Sequence, residues 1–218
     1  MLKTYSIFTI NKHKIRQSIA ALSMVLLIFG CSSSTQNTHS NSGQVTNEWR
    51  VNKSLLEKVR NFDITGKVSF KNKDQAISAN FQWQQQGQNI SLRLTNFFGA
   101  TMLKLVHNQY GTTIIDHKGK THKGGDSATL IASLTGVKLP ISELANWLKA
   151  LPLATNGYQL NKLNTLASLS QYAAPNQKLG WQISYPVYGR FANILLPKEI
   201  QMKDKTQQVS LSITNWRL

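Results

Sequence analysis

Ile77-Ser78-Ala79-Asn80-Phe81-Gln82-Trp83-Gln84-Gln85-Gln86-Gly87-Gln88-Asn89-Ile90-Ser91-Leu92-Arg93-Leu94-Thr95 is the stretch that decides the fold. Ile77, Ala79, Phe81 and Trp83 alternate with Ser78, Asn80 and Gln82; Ile90, Leu92 and Leu94 alternate with Ser91, Arg93 and Thr95. A period of two puts every apolar side chain on one face of a pleated strand and every polar one on the other. Gln86-Gly87-Gln88 between the two runs has the character of a hairpin turn. The pattern extends outward. Phe62, Ile64, Val68 and Phe70 alternate with Asp63, Thr65, Lys67 and Ser69, and Lys71-Asn72-Lys73-Asp74 supplies the next turn. Thr101 to His107 and Gly111 to Asp116 continue the meander.

Helical signals flank this sheet. Asn47 to Arg60 reads as a helix capped by Asn47, with Glu48 in its first turn and Trp49, Leu55 and Val59 near one face. After Gly125, Asp126 is a plausible N-cap for the apolar run Ala128 to Leu134, which Gly136 stops. A further helix runs from Ile141 or Ser142 to about Ala150, carries Leu144, Trp147 and Leu148, and ends before Pro152. Strands then resume at Tyr158 to Asn161, Ala167 to Ala173, Leu179 to Tyr185, Glu199 to Lys203 and Val209 to Trp216. Ten or more consecutive antiparallel strands curl rather than stay flat. The expected fold class is mainly β (α+β), a wrapped sheet without full closure, helices plugging its concave side and a mouth able to hold a ligand.

The N-terminus carries a different message. Lys3, Lys12, Lys14 and Arg16, with no acid among them, precede an apolar stretch from about Ile19 to Phe29. This order is that of a secretory signal peptide, and about eleven apolar residues are too few to span a bilayer. Ile28-Phe29-Gly30-Cys31 resembles the lipobox of bacterial lipoproteins, with Phe29 departing from the small residue usual at −2. The resemblance implies that Cys31 becomes the first mature residue and carries a diacylglycerol thioether and an acylated amine. An ordinary signal peptide that happens to contain a cysteine is the alternative. Ser32 stands where Asp tends to retain lipoproteins at the inner membrane, so the implied site is the periplasmic face of the outer membrane. Thr35 to Thr46 is rich in Ser, Asn, Gln and Thr and reads as a flexible tether. The expected division is 1–30 signal peptide, 31–46 lipidated cysteine and tether, and 47–218 a single domain. With three acyl chains and about 0.8 kcal/mol per buried methylene, no transmembrane helix is needed.

Cys31 is the only cysteine, so no intramolecular disulfide is available. The chain has 25 Lys/Arg and 9 Asp/Glu; removing the four leader cations leaves 21 against 9, a net +12. The excess is dispersed, densest at Lys118, Lys120 and Lys123, with no basic stripe or module of a nucleic-acid binder. Anionic headgroups or an acidic protein fit it better.

Several stretches read together: Trp49; Ile64-Thr65-Gly66; Phe81-Gln82-Trp83-Gln84-Gln85; Leu92-Arg93-Leu94-Thr95-Asn96-Phe97-Phe98-Gly99; Leu134-Thr135-Gly136-Val137-Lys138-Leu139-Pro140; Trp147 with Leu151-Pro152; and Asn215-Trp216. Their order and spacing resemble the LolB family of outer-membrane lipoproteins over nearly all of residues 47–218. The resemblance implies a single unclosed antiparallel β-barrel of about eleven strands with a helical lid, and a monomer. It implies a protein that takes triacylated lipoproteins from the periplasmic carrier LolA into an apolar cavity and releases them into outer-membrane phospholipid, using no nucleotide, metal or cofactor. It also implies that the loop holding Phe97, Phe98 and Gly99 promotes membrane insertion; Phe98 matches a position usually Leu and Phe97 one commonly Pro, and the alternative is that one or both fold back onto the core. Candidate cavity residues are Phe81, Trp83, Leu92, Leu94, Trp147, Trp181 and Ile183; for the aromatics Phe81, Trp83, Trp147 and Trp181 the alternative is a dense core.

Other chemistry has little footing. His107, His117 and His122 near Asp116 and Asp126 invite a metal, but no helical i, i+4 histidine pair exists. There is no Gly-rich phosphate loop and no G-x-S-x-G, and nine scattered acids do not suggest a catalytic carboxylate pair, so no enzyme is expected. The competing readings are a lipidated carrier of the LolA type and a structural or envelope-binding lipoprotein with a filled barrel and no acyl cargo.

Overall fold

The strand that organises the sheet is the first, β1 (Asn61–Asn72), because both of its edges are fully used. On one side it pairs antiparallel with β2 (Ala76–Gln86), Asn61 opposite Gln86 through Lys71 opposite Ala76. On the other it pairs with β11 (Gln207–Arg217), Asp63 opposite Arg217 through Asn72 opposite Gln207. From β2 the meander continues through β3 (Asn89–Thr95), β4 (Thr101–Asn108), β5 (Gly111–Asp116) and β6 (Thr121–Gly124). From β11 it runs back through β10 (Ile194–Lys203), β9 (Gln182–Phe191), β8 (Leu166–Gln171) and β7 (Asn156–Leu160). The result is one 11-stranded antiparallel sheet in the order β6-β5-β4-β3-β2-β1-β11-β10-β9-β8-β7. Its edges, β6 and β7, are not paired with each other, so the sheet wraps without closing. The computed structural model describes residues 46–137, 139–154, 156–171 and 180–218. The signal peptide, Cys31, the tether up to residue 45, Lys138 and Leu179 lie outside the described residues.

The chain between the two edge strands carries the helices that cover the concave face. Asp126 caps α2 (Ser127–Thr135) through the amides of Ala128 and Thr129, and Gly136 ends it in the left-handed region at φ 73°. α3 (Ile141–Leu148) follows Pro140 and buries Ile141, Leu144, Trp147 and Leu148. Both helices are where the apolar runs and caps placed them. Among the described residues no helix is long and apolar enough to cross a membrane. α1 (Asn47–Lys58) precedes β1 and packs on β10. Its cap is Thr46, not Asn47, with the Thr46 hydroxyl accepting from the Trp49 amide at 3.1 Å. Its buried face is Trp49 and Leu56, seven residues and two turns apart, while Leu55 points outward.

Alternation along β1 and β2 places Phe62, Ile64, Phe70, Ala79, Phe81 and Trp83 inside and Lys67, Ser69, Asn80 and Gln82 outside. Gly66 is buried for a specific reason: a Cβ there would meet the Ser212 carbonyl oxygen at 2.1 Å and Phe81 Cε1 at 2.9 Å. The ladder to β11 shifts register at this point, between Thr65 and Gly66. Two departures from the sequence pattern occur elsewhere. β6 forms although Thr-His-Lys-Gly shows no apolar alternation; its amides follow the edge of β5. β9 and β10 are both longer than the alternation suggested, running through Pro186 and Pro197. Register shifts follow Pro197, on either side of Glu199, and Ala192 and Asn193 turn the chain at φ 43° and 65°. β8 runs from Leu166 to Gln171, and the expected end of that strand at Ala173 lies outside the described residues.

In an antiparallel meander alternate turns fall at the same end. The β1–β2 turn, the β3–β4 tip, the β5–β6 turn and the β10–β11 turn therefore share one end of the barrel. At the opposite end α1 and the core aromatics close the structure. Trp216 stacks with Phe62 at 5.4 Å and Phe191 at 6.4 Å, and its indole N–H donates to the Pro197 carbonyl at 2.9 Å. The Lys149 ammonium is buried there, donating to the Val59 carbonyl at 2.9 Å, at the C-cap of α1, and sitting 5.9 Å from the Phe62 ring. Burial first, and the charge of Arg60 second, lower its pKa below the ordinary lysine value. Gly66→Ala is expected to destabilise the domain by about 2–3 kcal/mol through overpacking against β11. Urea denaturation with an unchanged m-value is the check, and a shift below about half a kcal/mol would mean the β1–β11 seam gives way easily.

Candidate functional site

Beneath the helices the concave face is not filled. A cavity of about 410 Å³ lies between the inner faces of β1–β4, the undersides of α2 and α3, and the ends of β10 and β11. Its wall includes Phe70, Phe81, Trp83, Leu92, Leu94 and Leu105 from the sheet, Ile131, Leu134, Leu144 and Leu148 from the helices, and Met202, Val209 and Leu211 from the C-terminal strands. The size falls within the range of small-molecule sites, and the lining is overwhelmingly apolar. Polar side chains gather at the end that carries the β1–β2 and β5–β6 turns: Gln75, Asp116, His117 and Thr135. There the Gln75 side-chain amide donates to the Thr135 carbonyl at 3.3 Å, a single exposed hydrogen bond between the β1–β2 turn and the last residue of α2.

Of the cavity residues singled out in the sequence, Phe81, Trp83, Leu92 and Leu94 line this space. Trp147, Trp181 and Ile183 do not; they are fully or almost fully buried in the core, with the Tyr185 hydroxyl donating to the Trp147 carbonyl at 3.0 Å. The inward face is common to both groups, and only position along the barrel separates them. The C-terminal contribution of Met202, Val209 and Leu211 was missed, although Val209 and Leu211 show the same alternation in the sequence as Phe81 and Trp83. Ile77 reads as inward from its alternation and does line the cavity, yet it is 38% exposed because it sits at the mouth.

At the β3–β4 tip, Phe97 and Phe98 are 91% and 88% exposed. They pack edge to face with ring centroids 5.6 Å apart and have left the core entirely. Asn96 builds the turn that projects them. Its side-chain oxygen accepts from the amides of Phe98 and Ala100, both at 3.0 Å, and its carbonyl accepts from Gly99 at 3.0 Å. Gly99 takes φ 82°, which its missing Cβ permits.

The acidic group at the mouth is held firmly. One oxygen of Asp116 accepts from the amides of Lys118 and Lys120 at 2.9 and 3.0 Å; the other meets His122 Nε2 at 2.9 Å. The His122 hydrogen bond is the main cause holding the Asp116 pKa down, at about 2. Among the described residues no group of three or more His, Cys, Asp or Glu is placed to hold a metal ion.

The sequence profile of the family described as "Outer membrane lipoprotein LolB" matches residues 60–216. An outer-membrane lipoprotein LolB from Vibrio cholerae is 30% identical over 94% of this chain and 97% of its own. One from Psychromonas ingrahamii is 31% identical over 79% of this chain and 84% of its own. Among solved structures, a LolA superfamily protein from Nitrosomonas europaea superposes with a TM-score of 0.52 at 11% identity, covering 78% of this chain and 92% of that one. A DUF1329 family protein from Desulfovibrio piger gives 0.58 at 8% identity, covering 78% and 90%. At these identities the two structures speak for the fold alone.

A depressed carboxylate pKa adds stability above its unfolded value that disappears as pH falls through the folded one. The β5–β6 turn is therefore expected to stay ordered down to about pH 4 and to loosen between there and about pH 2. Amide exchange at Lys118 and Lys120 reads this directly. In Asp116→Ala those amides are expected to exchange fast at every pH, and protection unaffected by the substitution would remove Asp116 from the turn's support.

Proposed function

The chain belongs to the LolB family of outer-membrane lipoproteins of the lipoprotein localisation pathway, and from that premise we propose that it receives triacylated lipoproteins from a LolA-type periplasmic carrier in its apolar cavity and releases them into the outer membrane without ATP. The observation that supports this reading is the unfilled apolar space under α2 and α3, open at the end from which Phe97 and Phe98 project. In this reading residues 1–30 are a signal peptide, Cys31 carries the lipid, 31–46 are the tether, and the domain begins at residue 47.

The driving force is a graded affinity for acyl chains. Each methylene exposed to water costs about 0.8 kcal/mol, so cargo must pass from one apolar environment to another without release. A receiving cavity somewhat tighter than the donor's, and a bilayer tighter still, make the transfer directional. Differences of a few kcal/mol suffice, since about 1.4 is tenfold. Phe81, Trp83, Leu92 and Leu94 are the proposed acyl contacts on the sheet side, and Ile131 and Leu134 on the helix side. Weak attachment of α2 at the mouth, through Gln75 and Thr135, suits a lid that must move to admit cargo. The exposed phenylalanines suit entry into the membrane interface, where aromatic rings are at home.

Transfer is the decisive experiment. A LolA-type carrier loaded with a triacylated lipoprotein is mixed with the mature chain carrying Cys31→Ala, and the cargo is followed without nucleotide. Movement of cargo to this chain is expected; retention on the carrier, with the chain folded, would leave a structural envelope lipoprotein as the better reading. Phe98→Glu is expected to accept cargo as before and to deliver it to liposomes about tenfold more slowly, since a carboxylate at the tip opposes entry into the bilayer. Unchanged delivery would take the tip out of the mechanism.

A further inference from the structure

We propose that Lys67, Arg93 and Lys104, on the outer wall of the barrel behind the Phe97–Phe98 tip, form a surface that binds anionic phospholipid headgroups and so sets how the tip enters the membrane. The proposal rests on the reading that the tip enters a bilayer. All three residues are exposed and point away from the core, on β1, β3 and β4. Arg93 and Lys104 stand directly opposite each other across the β3–β4 ladder. Like charges in that relation repel at Cβ separations of about 5 Å, a cost that an anion between them would reverse. Among the described residues the ion pairs are Lys53 with Glu57, His122 with Asp116 and Arg217 with Asp63, so none of the three cations has a carboxylate partner. Glu199 shares a groove with Lys67 but makes no ion pair with it.

The surface is shaped as well as charged. Lys67 and Arg93 line one groove of about 480 Å³, with Asn80, Gln82 and Thr95 between them and Gly99 of the tip at its rim. In the register Asn80 stands between Lys67 and Thr95, and Gln82 between Thr65 and Arg93, so amide and hydroxyl groups fill the space separating the cations. The Arg93 guanidinium is pinned, donating from Nε and Nη2 to the Thr101 hydroxyl at 3.0 and 2.8 Å. Thr101 is the first residue after the tip turn, so this cation is fixed just behind the phenylalanines and its planar fork matches phosphate oxygens. The depth also fits. The step from Arg93 to Phe97, strand as far as Thr95 and turn beyond it, spans at most about 13 Å, and an interfacial group buries about 5–10 Å. Rings at the acyl boundary leave Arg93 among the phosphates.

The test uses the mature lipidated protein reconstituted through Cys31. An environment-sensitive fluorophore on Phe98→Cys reports insertion of the tip into phosphatidylcholine vesicles with and without phosphatidylglycerol. Phosphatidylglycerol is expected to raise the inserted fraction, and salt to reverse the gain on the scale set by a Debye length of about 10 Å at 0.1 M. Adding Lys67→Gln, Arg93→Gln and Lys104→Gln is expected to abolish the response to phosphatidylglycerol, about fivefold in the inserted-to-free ratio per charge, and to leave insertion into neutral vesicles unchanged. The single Lys104→Gln, whose side chain has no described hydrogen bond to lose, is expected to show a partial loss even where the triple variant fails to fold. A tip that inserts equally well with and without phosphatidylglycerol overturns the headgroup surface alone. A response that persists in the variants overturns it too, and assigns the effect to rim lysines such as Lys118 and Lys120. A tip that enters neither vesicle overturns the membrane-loop reading on which the surface rests.

Discussion

The pairing of β1 with β11 is the contact on which the rest of the structure hangs. It joins the first strand of the domain to the last, Ile64 beside Trp216 and Phe70 beside Val209, and turns two separate meanders into one sheet. Nearly the whole chain must be looped out before that ladder forms, so its closure entropy comes early and its reward late. The seam is correspondingly close-fitted. Gly66 lets the Ser212 carbonyl approach to a distance no side chain would allow, and Phe62 packs against Trp216 across the seam, with Phe191 of β9 on Trp216 as well. Without this seam each half would be a short meander with an unpaired central edge.

The two ends of the barrel answer to different demands. At the closed end Lys149 donates to the Val59 carbonyl, Trp216 to Pro197 and Tyr185 to Trp147, while the buried Trp147 indole N–H has no hydrogen-bond partner among the described residues. Interiors of this kind pack like organic crystals. At the other end the same apolar alternation continues but the opposing elements do not fill the space, leaving about 410 Å³. A sheet that must be apolar inside in order to fold thus becomes a container when its cover stands off. The proposed affinity for acyl chains draws on side chains the fold requires in any case.

The strands were readable because one face is wet. Ile77 to Thr95 can satisfy both environments only as a hairpin, and the Asp126 and Gly136 caps marked α2 with equal clarity. Where the reading stopped short, a physical reason is visible. β6 holds its place by main-chain pairing to β5, and pairing leaves no mark on side-chain type. Pro197 obscured the start of β10 because a proline usually ends a strand, and here register shifts absorb it. Alternation states which face a residue takes and is silent on depth, so it grouped Trp147, Trp181 and Ile183 of the packed end with Phe81 and Leu94 of the cavity. Alternation alone did not decide whether Phe97 and Phe98 fold back onto the core or leave it; the family resemblance pointed outward, and both are exposed.

In a closed barrel the number of strands and the shear of the ladder dictate the radius, and every hydrogen bond resists a change in girth. Here the ladder stops at β6 on one side and β7 on the other, and the two are joined by helices instead of backbone pairs. Girth is therefore an adjustable quantity. Small rotations at each strand junction add up around eleven strands into a wider or narrower bore without breaking a single pair. The missing eleventh junction, between β6 and β7, works as an expansion joint, and a container built this way takes its calibre from its contents.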